Sequence, residues 1–174
     1  MLVAACLAGD RRAFDQLVDA YQSKLFYAAY RITGSADDAM DAAQGAFVKA
    51  YEKLDTFDPS RRFFSWIYRI ALNEALNILD RRRNQSELGP DVPGEGDDPE
   101  QACEADEEGT CIQRALMELC EEQRVVLVLR HFHGLSYHEI GEVVGVSEKT
   151  VKSRLFTARQ NLRAVLIKQG FSHG

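Results

Sequence analysis

The sequence predicts an all-α protein built from two small helical domains that are joined by an acidic, flexible linker. Apolar residues recur at three- and four-residue steps on both sides of this linker, as they do along one face of a helix. No segment shows the sustained alternation of apolar and polar residues that is typical of a β-strand. Residues 85–109 are instead rich in acid, glycine and proline. The predicted domains are therefore residues 1–84 and 110–174.

The composition favours a soluble globular protein, because hydrophobic residues make up 45% of the chain and charged residues 28%. No apolar run approaches the ~20 residues that span a bilayer, and residues 1–7 lack the basic leader of a signal peptide. We therefore expect a cytoplasmic protein without membrane insertion. The four cysteines form no CxxC pair, and their intervals match no common zinc spacing. We expect no metal and no cofactor, although a zinc site with His131 or His133 is an alternative.

The net charge of −6 is concentrated in the linker. Residues 1–84 carry a balance of +1, residues 85–109 carry −10 and residues 110–174 carry +3. The two domains are thus neutral to basic, so the acidic total does not exclude nucleic-acid binding. The linker has too few large aliphatic residues to form a core. It is either a plain tether or an acidic mimic of nucleic acid that occupies a basic channel when DNA is absent.

Three helices are predicted in the first domain. Apolar stripes run through residues 14–25 and 40–54, and Ser35 is placed to cap the second of these helices. The sequence Asp-Pro-Ser at residues 58–60 then breaks the chain before a third helix at about 64–83. The first domain is therefore predicted to be a small helical bundle.

A helix-turn-helix is predicted in the second domain, which contains four helical stretches. Ser136 and Glu139 have the spacing of a capping box, and Gly145 is a natural end for the helix that they begin. Ser147 is placed to cap the helix that follows, which continues to about Leu166. A short helix, a turn and a capped second helix is the layout that places a helix in the DNA major groove.

The second helix of this unit is strongly basic. Residues 147–168 include six basic residues and one acidic residue, and most of the basic ones lie away from the apolar stripe. Solvated charges on an ordinary surface helix are the alternative explanation. The coincidence of capping, turn glycine, apolar spacing and one-sided charge favours DNA contact.

The third predicted helix combines aromatic, basic and amide side chains. Arg69, Asn73, Asn77 and Arg81 recur every four residues as a polar stripe beside aromatic residues that we expect to be exposed. Bases stack on aromatic rings while cations follow the phosphates, so the pattern is typical of single-stranded DNA binding. The alternative is an aromatic core with a solvated helix end, and Trp66 is expected in the core in either case.

Three segments resemble those of the extracytoplasmic-function sigma factors of bacterial RNA polymerase. Residues 37–51, DDAMDAAQGAFVKAY, resemble the helix by which this family binds polymerase. Residues 64–73, FSWIYRIALN, resemble the promoter-melting segment, and residues 135–155 resemble the helix-turn-helix that binds the −35 element. The segments occur in the family's order, and the similarity extends over about residues 2–166 apart from the linker.

The resemblance implies a promoter-specificity subunit that is not an enzyme and that binds core RNA polymerase, promoter DNA and an anti-sigma factor. The clamp helices of the largest polymerase subunits would contact Asp41, Gln44, Phe47, Val48 and Tyr51. The −10 single strand would contact Phe63, Phe64, Arg69, Asn73, Asn77, Arg81, Arg82 and Arg83. The −35 major groove would contact Lys149, Thr150, Lys152, Ser153, Arg154 and Arg159.

The sequence departs from the family pattern at two places, and one other function is an alternative. Gly45 occupies a position where the family usually has an acidic residue, and glycine there costs about 1 kcal/mol of helix stability relative to alanine. The chain also lacks the family's frequent proline near residues 119–120. The competing function is a conventional transcriptional regulator that uses its helix-turn-helix without polymerase.

Overall fold

The computed structural model describes the backbone of residues 2–88 and 107–170, and within these ranges every regular element is helical, which confirms the all-α prediction. The 3-10 turn Leu54–Thr56 follows α3, and the π-helical turn Val128–Phe132 follows α6. The α-helices are α1 Leu2–Leu7, α2 Arg11–Thr33, α3 Ala36–Glu52, α4 Phe63–Leu88, α5 Glu107–Met117, α6 Glu121–Leu127, α7 Tyr137–Val144 and α8 Glu148–Lys168.

The first domain is a bundle in which α2, α3 and α4 pack on one another, with α1 against α2. Ser35 caps α3 as predicted, since its Oγ accepts a hydrogen bond from the Asp38 amide at 3.3 Å. The buried face of α3 consists largely of alanine, which allows close approach of the neighbouring helices; its residues are Ala39, Ala42, Ala43, Ala46 and Ala50. The apolar pattern therefore predicted the bundle, although α1 and the 3-10 turn were not predicted.

Helices extend a few residues into both ends of the predicted linker. α4 continues to Leu88 and α5 begins at Glu107, so both ends of the segment 85–109 are helical. Polar residues at a helix end need no core, because their side chains remain in water while the backbone completes its hydrogen bonds. The rest of the predicted linker, and with it the choice between tether and acidic mimic, lies outside the described residues.

A buried arginine ends α5 without the help of proline. The Arg124 side chain is in the core, with 8% of its surface exposed. Its guanidinium donates to three carbonyls at or just after the end of α5, those of Leu116 at 2.9 Å, Met117 at 3.1 Å and Leu119 at 2.9 Å. The last carbonyls of a helix have no partner within the helix. Arg124 supplies that partner and allows the chain to turn into α6.

The helix-turn-helix has the predicted local structure. The Glu139 amide donates to Ser136 Oγ at 3.2 Å and the Ser136 amide donates to Glu139 Oε2 at 2.8 Å, which completes the capping box. Gly145 ends α7 with φ of +73°, a conformation that favours glycine. Gly141 allows the close crossing of the two helices, because a Cβ there would lie 2.7 Å from the Val146 carbonyl oxygen.

The two domains pack against each other, with α7 along α4 and with α5 and the π-helical turn against α2. Gln113 Nε2 donates to the Tyr30 carbonyl at 3.3 Å, and the guanidinium of Arg31 lies 3.8 Å from the centre of the Phe132 ring. Arg124 also crosses the interface, where its Nη1 donates to the Ile32 carbonyl at the end of α2 at 2.6 Å. This interface was not predicted from the sequence.

A histidine lies half-buried at the same interface. Tyr68 Oη and His133 Nδ1 are hydrogen-bonded at 2.8 Å. Burial, followed by the nearby charges of Arg31 and Lys24, lowers the pKa of His133 from 6.5 to about 4. The neutral ring is therefore the form that the interface accommodates.

Acidification should weaken the folded state through His133. The unfolded chain takes up the proton near pH 6.5 and the folded chain only near pH 4, so the free energy of unfolding should fall as the pH is lowered through this window. Partial solvent exposure limits the loss to about 1–2 kcal/mol. Urea denaturation at a series of pH values measures it. His133→Gln should flatten the profile between these pH values, whereas the control His138→Gln, at an exposed position, should retain the slope. An unchanged slope in His133→Gln would refute this assignment.

Candidate nucleic-acid interface

The amino-terminal half of α8 presents an exposed polar face. Lys149, Lys152 and Ser153 are exposed, and Lys152 Nζ lies 3.8 Å from Glu148 Oε1. Thr150 is half-buried, and its hydroxyl is hydrogen-bonded to Ser147 Oγ at 2.8 Å. Three of these four predicted residues are thus open to a ligand, while the threonine also serves the helix cap.

Two predicted arginines of α8 are held by neighbouring elements. Arg154 Nη2 lies 3.0 Å from Glu122 Oε2 of α6. Arg159 Nε donates to His131 Nε2 at 3.2 Å. Burial, and next the charge of Arg159, lowers the pKa of His131, which keeps the ring neutral as an acceptor. These contacts orient both guanidinium groups along α8, and they depend on residues too distant in sequence to be predicted.

An aromatic residue on the same face was missed. Phe156 of α8 is 64% exposed, although phenylalanine is usually buried. It lies seven residues after Lys149 and three after Ser153, so it continues their row along the helix. That spacing was available in the sequence. An exposed phenylalanine on a groove-binding helix can contact the methyl group of thymine.

In the polar stripe of α4, the two asparagines in the middle are exposed and the arginines at both ends donate hydrogen bonds to backbone carbonyls. Asn73 and Asn77 are exposed, and Arg81 is exposed with its Nε donating to the Asn77 carbonyl at 3.3 Å. The Arg69 guanidinium, by contrast, donates to the carbonyl oxygen of Glu142 in α7. The two asparagines have exposed side chains, and Arg81 remains exposed beside them.

The two arginines that follow the predicted stripe form ion pairs with other helices. Arg82 Nη2 lies 2.8 Å from the buried Asp38 Oδ1 in the first turn of α3. Burial raises the pKa of Asp38, and Arg82 opposes that rise. Arg83 pairs with Glu121 at the start of α6. Both guanidinium groups thus connect helices, and both remain more than half exposed.

The expectation of exposed aromatic residues beside this stripe was wrong. Phe63 and Phe64 are half-buried. The Phe63 ring packs edge-on against Tyr21 at 5.7 Å, and the Phe64 ring lies 4.6 Å from Tyr68. Trp66, which was expected in the core, is partly buried and packs against it. Apolar rings at the start of α4 lower the free energy more by packing together than by facing water, so only their edges are accessible.

An apolar groove lies between α2 and α3. Val48 is 58% exposed and Tyr51 is 53% exposed, and Asp41 is exposed on the same helix. A cavity of about 300 Å³ adjoins them; its lining includes Phe47, Gln44, Met40, Phe26 and Tyr27. All five predicted polymerase-binding residues therefore lie on the exposed side of α3 or in this groove. Exposed Met40 and Tyr27 were not predicted as part of it.

Gly45 leaves room for an ion pair on the other side of α3. A Cβ at this position would lie 3.1 Å from Glu74 Oε2, and Glu74 pairs with Lys49. The glycine thus replaces the family's acidic residue where α4 already supplies a carboxylate.

Among the side chains of residues 2–85 and 109–170, no group of three or more His, Cys, Asp or Glu is arranged to hold a metal ion. Over the described part of the chain, no helix combines the length and the apolar character that crossing a bilayer requires.

The comparisons with known proteins match both domains. The model for Sigma-70 region 2 matches residues 17–85, and the model for Sigma-70, region 4 matches residues 109–162. The chain is 35% identical over 170 residues to ECF RNA polymerase sigma factor SigW of Bacillus subtilis (strain 168), with 91% of each chain covered. The chain belongs to the extracytoplasmic-function sigma factors. This sigma factor is also 35% identical to the ECF RNA polymerase sigma-E factor of Escherichia coli (strain K12), over 92% of this chain and 90% of that one.

Two solved structures resemble this sigma factor over both domains. CnrH in complex with the cytosolic domain of CnrY gives a TM-score of 0.76 at 33% identity, and covers 98% of this chain and 97% of that one. The sigma factor RpoE of Bartonella quintana, in complex with the anti-sigma factor NepR, gives 0.74 at 26% identity, with 88% and 96% covered. The region 2 match contains the groove and the α4 stripe, and the region 4 match contains the basic face of α8.

Proposed function

We propose that this sigma factor binds core RNA polymerase through the groove of α2 and α3 and directs initiation at promoters that carry −10 and −35 elements. Sigma factors are initiation factors and not enzymes. The observation that carries the proposal is the division of exposed polar surface between two domains that match the two sigma regions.

Contact with the −35 duplex is assigned to the exposed face of α8. Its first turns present Lys149, Lys152, Ser153 and, added by the structure, Phe156. A recognition helix contacts base edges with its first turns and phosphates with later cations. Thr150, Arg154 and Arg159 complete this surface, the arginines after exchanging Glu122 and His131 for phosphate oxygens.

Contact with the −10 single strand is assigned to α4. The exposed amides of Asn73 and Asn77 can hydrogen-bond to the edges of unpaired bases. Phe63 and Phe64 contribute ring edges from the aromatic cluster, and the remaining cations follow the backbone. The set of cations is Arg69, Arg81, Arg82 and Arg83.

Polymerase binding is assigned to the groove because it is apolar, exposed and lined by flexible methionine. Large apolar patches on a protein surface mark interaction sites, and a helical partner fits a groove between two helices. The clamp helices of the largest polymerase subunits are the proposed occupant. They would contact Gln44 and Phe47, which line the groove, and the exposed residues of α3 beside it, Asp41, Val48 and Tyr51.

Regulation by an anti-sigma factor is proposed from the two similar structures. RpoE is described in complex with an anti-sigma factor, and CnrH in complex with a cytosolic domain. A protein that acts on RNA polymerase works in the cytoplasm, which is the proposed location.

Because the two domains are proposed to bind different promoter elements, substitutions in α4 and α8 should cause different defects. Asn73→Ala should reduce open-complex formation about tenfold, because it removes a base-edge hydrogen bond, and should leave −35 duplex binding unchanged. Lys152→Ala should weaken duplex binding about threefold to tenfold and reduce the salt slope by about 0.9, because one phosphate contact is lost. The promoters for both measurements are selected from a genomic library by run-off transcription. Permanganate footprinting of reconstituted holoenzyme measures melting, and electrophoretic mobility shift measures duplex binding.

Matched controls separate these roles from general damage. Asn84→Ala makes the same change near the end of α4, and Arg163→Ala removes a charge from the later part of α8; both should behave as wild type. If Asn73→Ala and Lys152→Ala each lost promoter melting and −35 duplex binding to the same extent, the separate roles of α4 and α8 would be contradicted. Tight duplex binding together with failure to bind core polymerase would instead favour a conventional regulator.

A further inference from the structure

A histidine of the π-helical turn lies against one flank of α8. His131 is exposed, and its Nε2 accepts a hydrogen bond from Arg159 Nε at 3.2 Å. π-helical turns are rare and occur frequently at functional sites. This turn, Val128–Phe132, carries His131 past the end of α6 to an arginine that is 28 positions later in the chain. The histidine therefore lies directly beside a proposed DNA contact.

The flank of α8 that faces this turn is lined with cations. Arg159 follows Lys152 by seven residues, about two helical turns, so both side chains project to the same side of α8. The Lys152 ammonium lies 5.8 Å from the centre of the Tyr137 ring, and the Arg130 guanidinium lies 5.1 Å from the same centre. Arg130 is the neighbour of His131 in the π-helical turn. An anion that docks on this flank therefore meets positive charge from both α8 and the turn.

The surroundings of His131 keep its ring neutral in the free protein. Partial burial, and next the charges of Arg159 and Arg130, lowers the pKa of His131 below its ordinary value of 6.5. The elements packed against the turn also contribute Lys24 and Arg31 of α2, which act on His133, and the paired carboxylates Glu122 of α6, Glu139 of α7 and Glu148 of α8. A neutral ring is also what the hydrogen bond requires, because only an unprotonated Nε2 accepts.

We propose that His131 and Arg159 together bind a phosphate of the DNA backbone, and that His131 takes up a proton from solvent when that phosphate binds. The inference rests on the proposed contact with the −35 duplex. Arg159 moves its guanidinium from the ring to the phosphate, so Nε2 loses its donor and faces an anion. An anion beside an imidazole favours the charged form, and the imidazolium then donates its N–H to a phosphate oxygen.

Proton uptake makes duplex affinity depend on pH in a defined direction. The pKa of His131 lies below 6.5 in the free protein and rises in the complex, so the complex binds more protons than the free chain. Affinity therefore increases as the pH is lowered through the window between these two pKa values. A rise of one pKa unit on binding corresponds to a gain of at most about tenfold.

The test measures binding of the full chain to a fluorescein-labelled −35 duplex by anisotropy at about pH 6 and about pH 8, which span histidine titration. Wild type should bind about threefold to tenfold more tightly at the lower pH. Its salt slope should also be steeper there by about 0.9, because one more cation contacts the backbone. His131→Gln should bind equally at both pH values, since glutamine accepts from Arg159 but does not titrate. A merely structural role of His131 would not change the salt slope with pH.

Two controls accompany this measurement. His138→Gln removes an exposed histidine from the first turn of α7, in the same helix-turn-helix, and should keep the wild-type ratio of the two affinities. A mixed-sequence duplex of the same length should show the same gain at low pH as the −35 duplex, because a phosphate contact carries no sequence information.

The proposal is wrong if wild type binds equally at both pH values, if His131→Gln keeps the gain, or if His138→Gln loses it. A gain confined to the −35 sequence would also contradict it, because His131 would then contact a base. Run-off transcription with core polymerase separates this inference from the proposed function. Promoter-specific transcripts together with any of these results remove the phosphate contact and leave the promoter function standing. Failure of wild type both to bind core polymerase and to give transcripts would overturn the proposed function, and this inference with it.

Discussion

Replacement of Arg124 by methionine is expected to lower the free energy of unfolding by about 3–5 kcal/mol, because four carbonyl groups lose a charged donor. Three of these carbonyls lie at or just after the end of α5, and the fourth belongs to Ile32 at the end of α2. Methionine fills much of the arginine volume without supplying a hydrogen bond, so the loss measures the unpaired backbone rather than a cavity. Urea denaturation followed by circular dichroism gives the free energy, with the slope checked for two-state behaviour.

The Arg124 prediction has an internal comparison and a control. Arg124→Lys should recover only part of the loss, because an ammonium group cannot reach carbonyls from two helices as a planar guanidinium does. Arg114→Met, at an exposed position of α5, should change stability by no more than about 0.5 kcal/mol. A loss below about 1 kcal/mol in Arg124→Met would show that water, and not the guanidinium, satisfies these carbonyls.

Substitution of Gly141 by alanine is expected to weaken −35 duplex binding at least about tenfold and to cost about 2–4 kcal/mol of stability. The added Cβ would lie 2.7 Å from the Val146 carbonyl oxygen, which is backbone and cannot rotate away. The turn must therefore move, and α8 changes its angle to α7. Mobility shift on a −35 duplex and urea denaturation measure the two effects.

Gly45→Ala is the matched control for this substitution. Both glycines lie inside helices, but the atom nearest to a Cβ at Gly45 is the end of the Glu74 side chain, at 3.1 Å. A side chain can shift, and alanine favours the helix by about 1 kcal/mol, so stability should stay within about 1 kcal/mol of wild type. Duplex binding should be unchanged. If Gly141→Ala instead bound the −35 duplex as tightly as wild type, the turn between α7 and α8 would tolerate a Cβ at this position and the prediction would be wrong.

Local structure was predictable because its causes lie within a few residues of one another. The Ser136–Glu139 capping box, the Gly145 turn and the Ser147 cap each depend on backbone geometry over about one helical turn. The apolar stripe that places Val151 and Leu155 in the core follows from the same periodicity. Hydrogen bonds between near neighbours form in the same way whatever the rest of the chain does.

The state of the candidate site depends on contacts between distant residues. Arg69 and Glu142 are separated by 73 positions, and Arg124 and Ile32 by 92. Sequence periodicity does not indicate such pairs. The sequence could therefore predict that α4 is basic, but not that Arg69, Arg82 and Arg83 contact other helices. The half-buried state of Phe63 and Phe64 is a result of the same kind, because it depends on Tyr21 and Tyr68.

Most of the helices, their caps and the helix-turn-helix follow from the amino-acid sequence alone, and the family resemblance indicates the three surfaces that are proposed to contact polymerase and promoter. Only the tertiary structure decided which residues of those surfaces are accessible, that Phe156 extends the α8 face, and that α7 covers the start of α4. The difference follows from the distance along the chain over which each interaction acts. Helix formation and capping act along a few residues of chain, whereas burial and ion pairing act through space between segments that only the folded chain brings together.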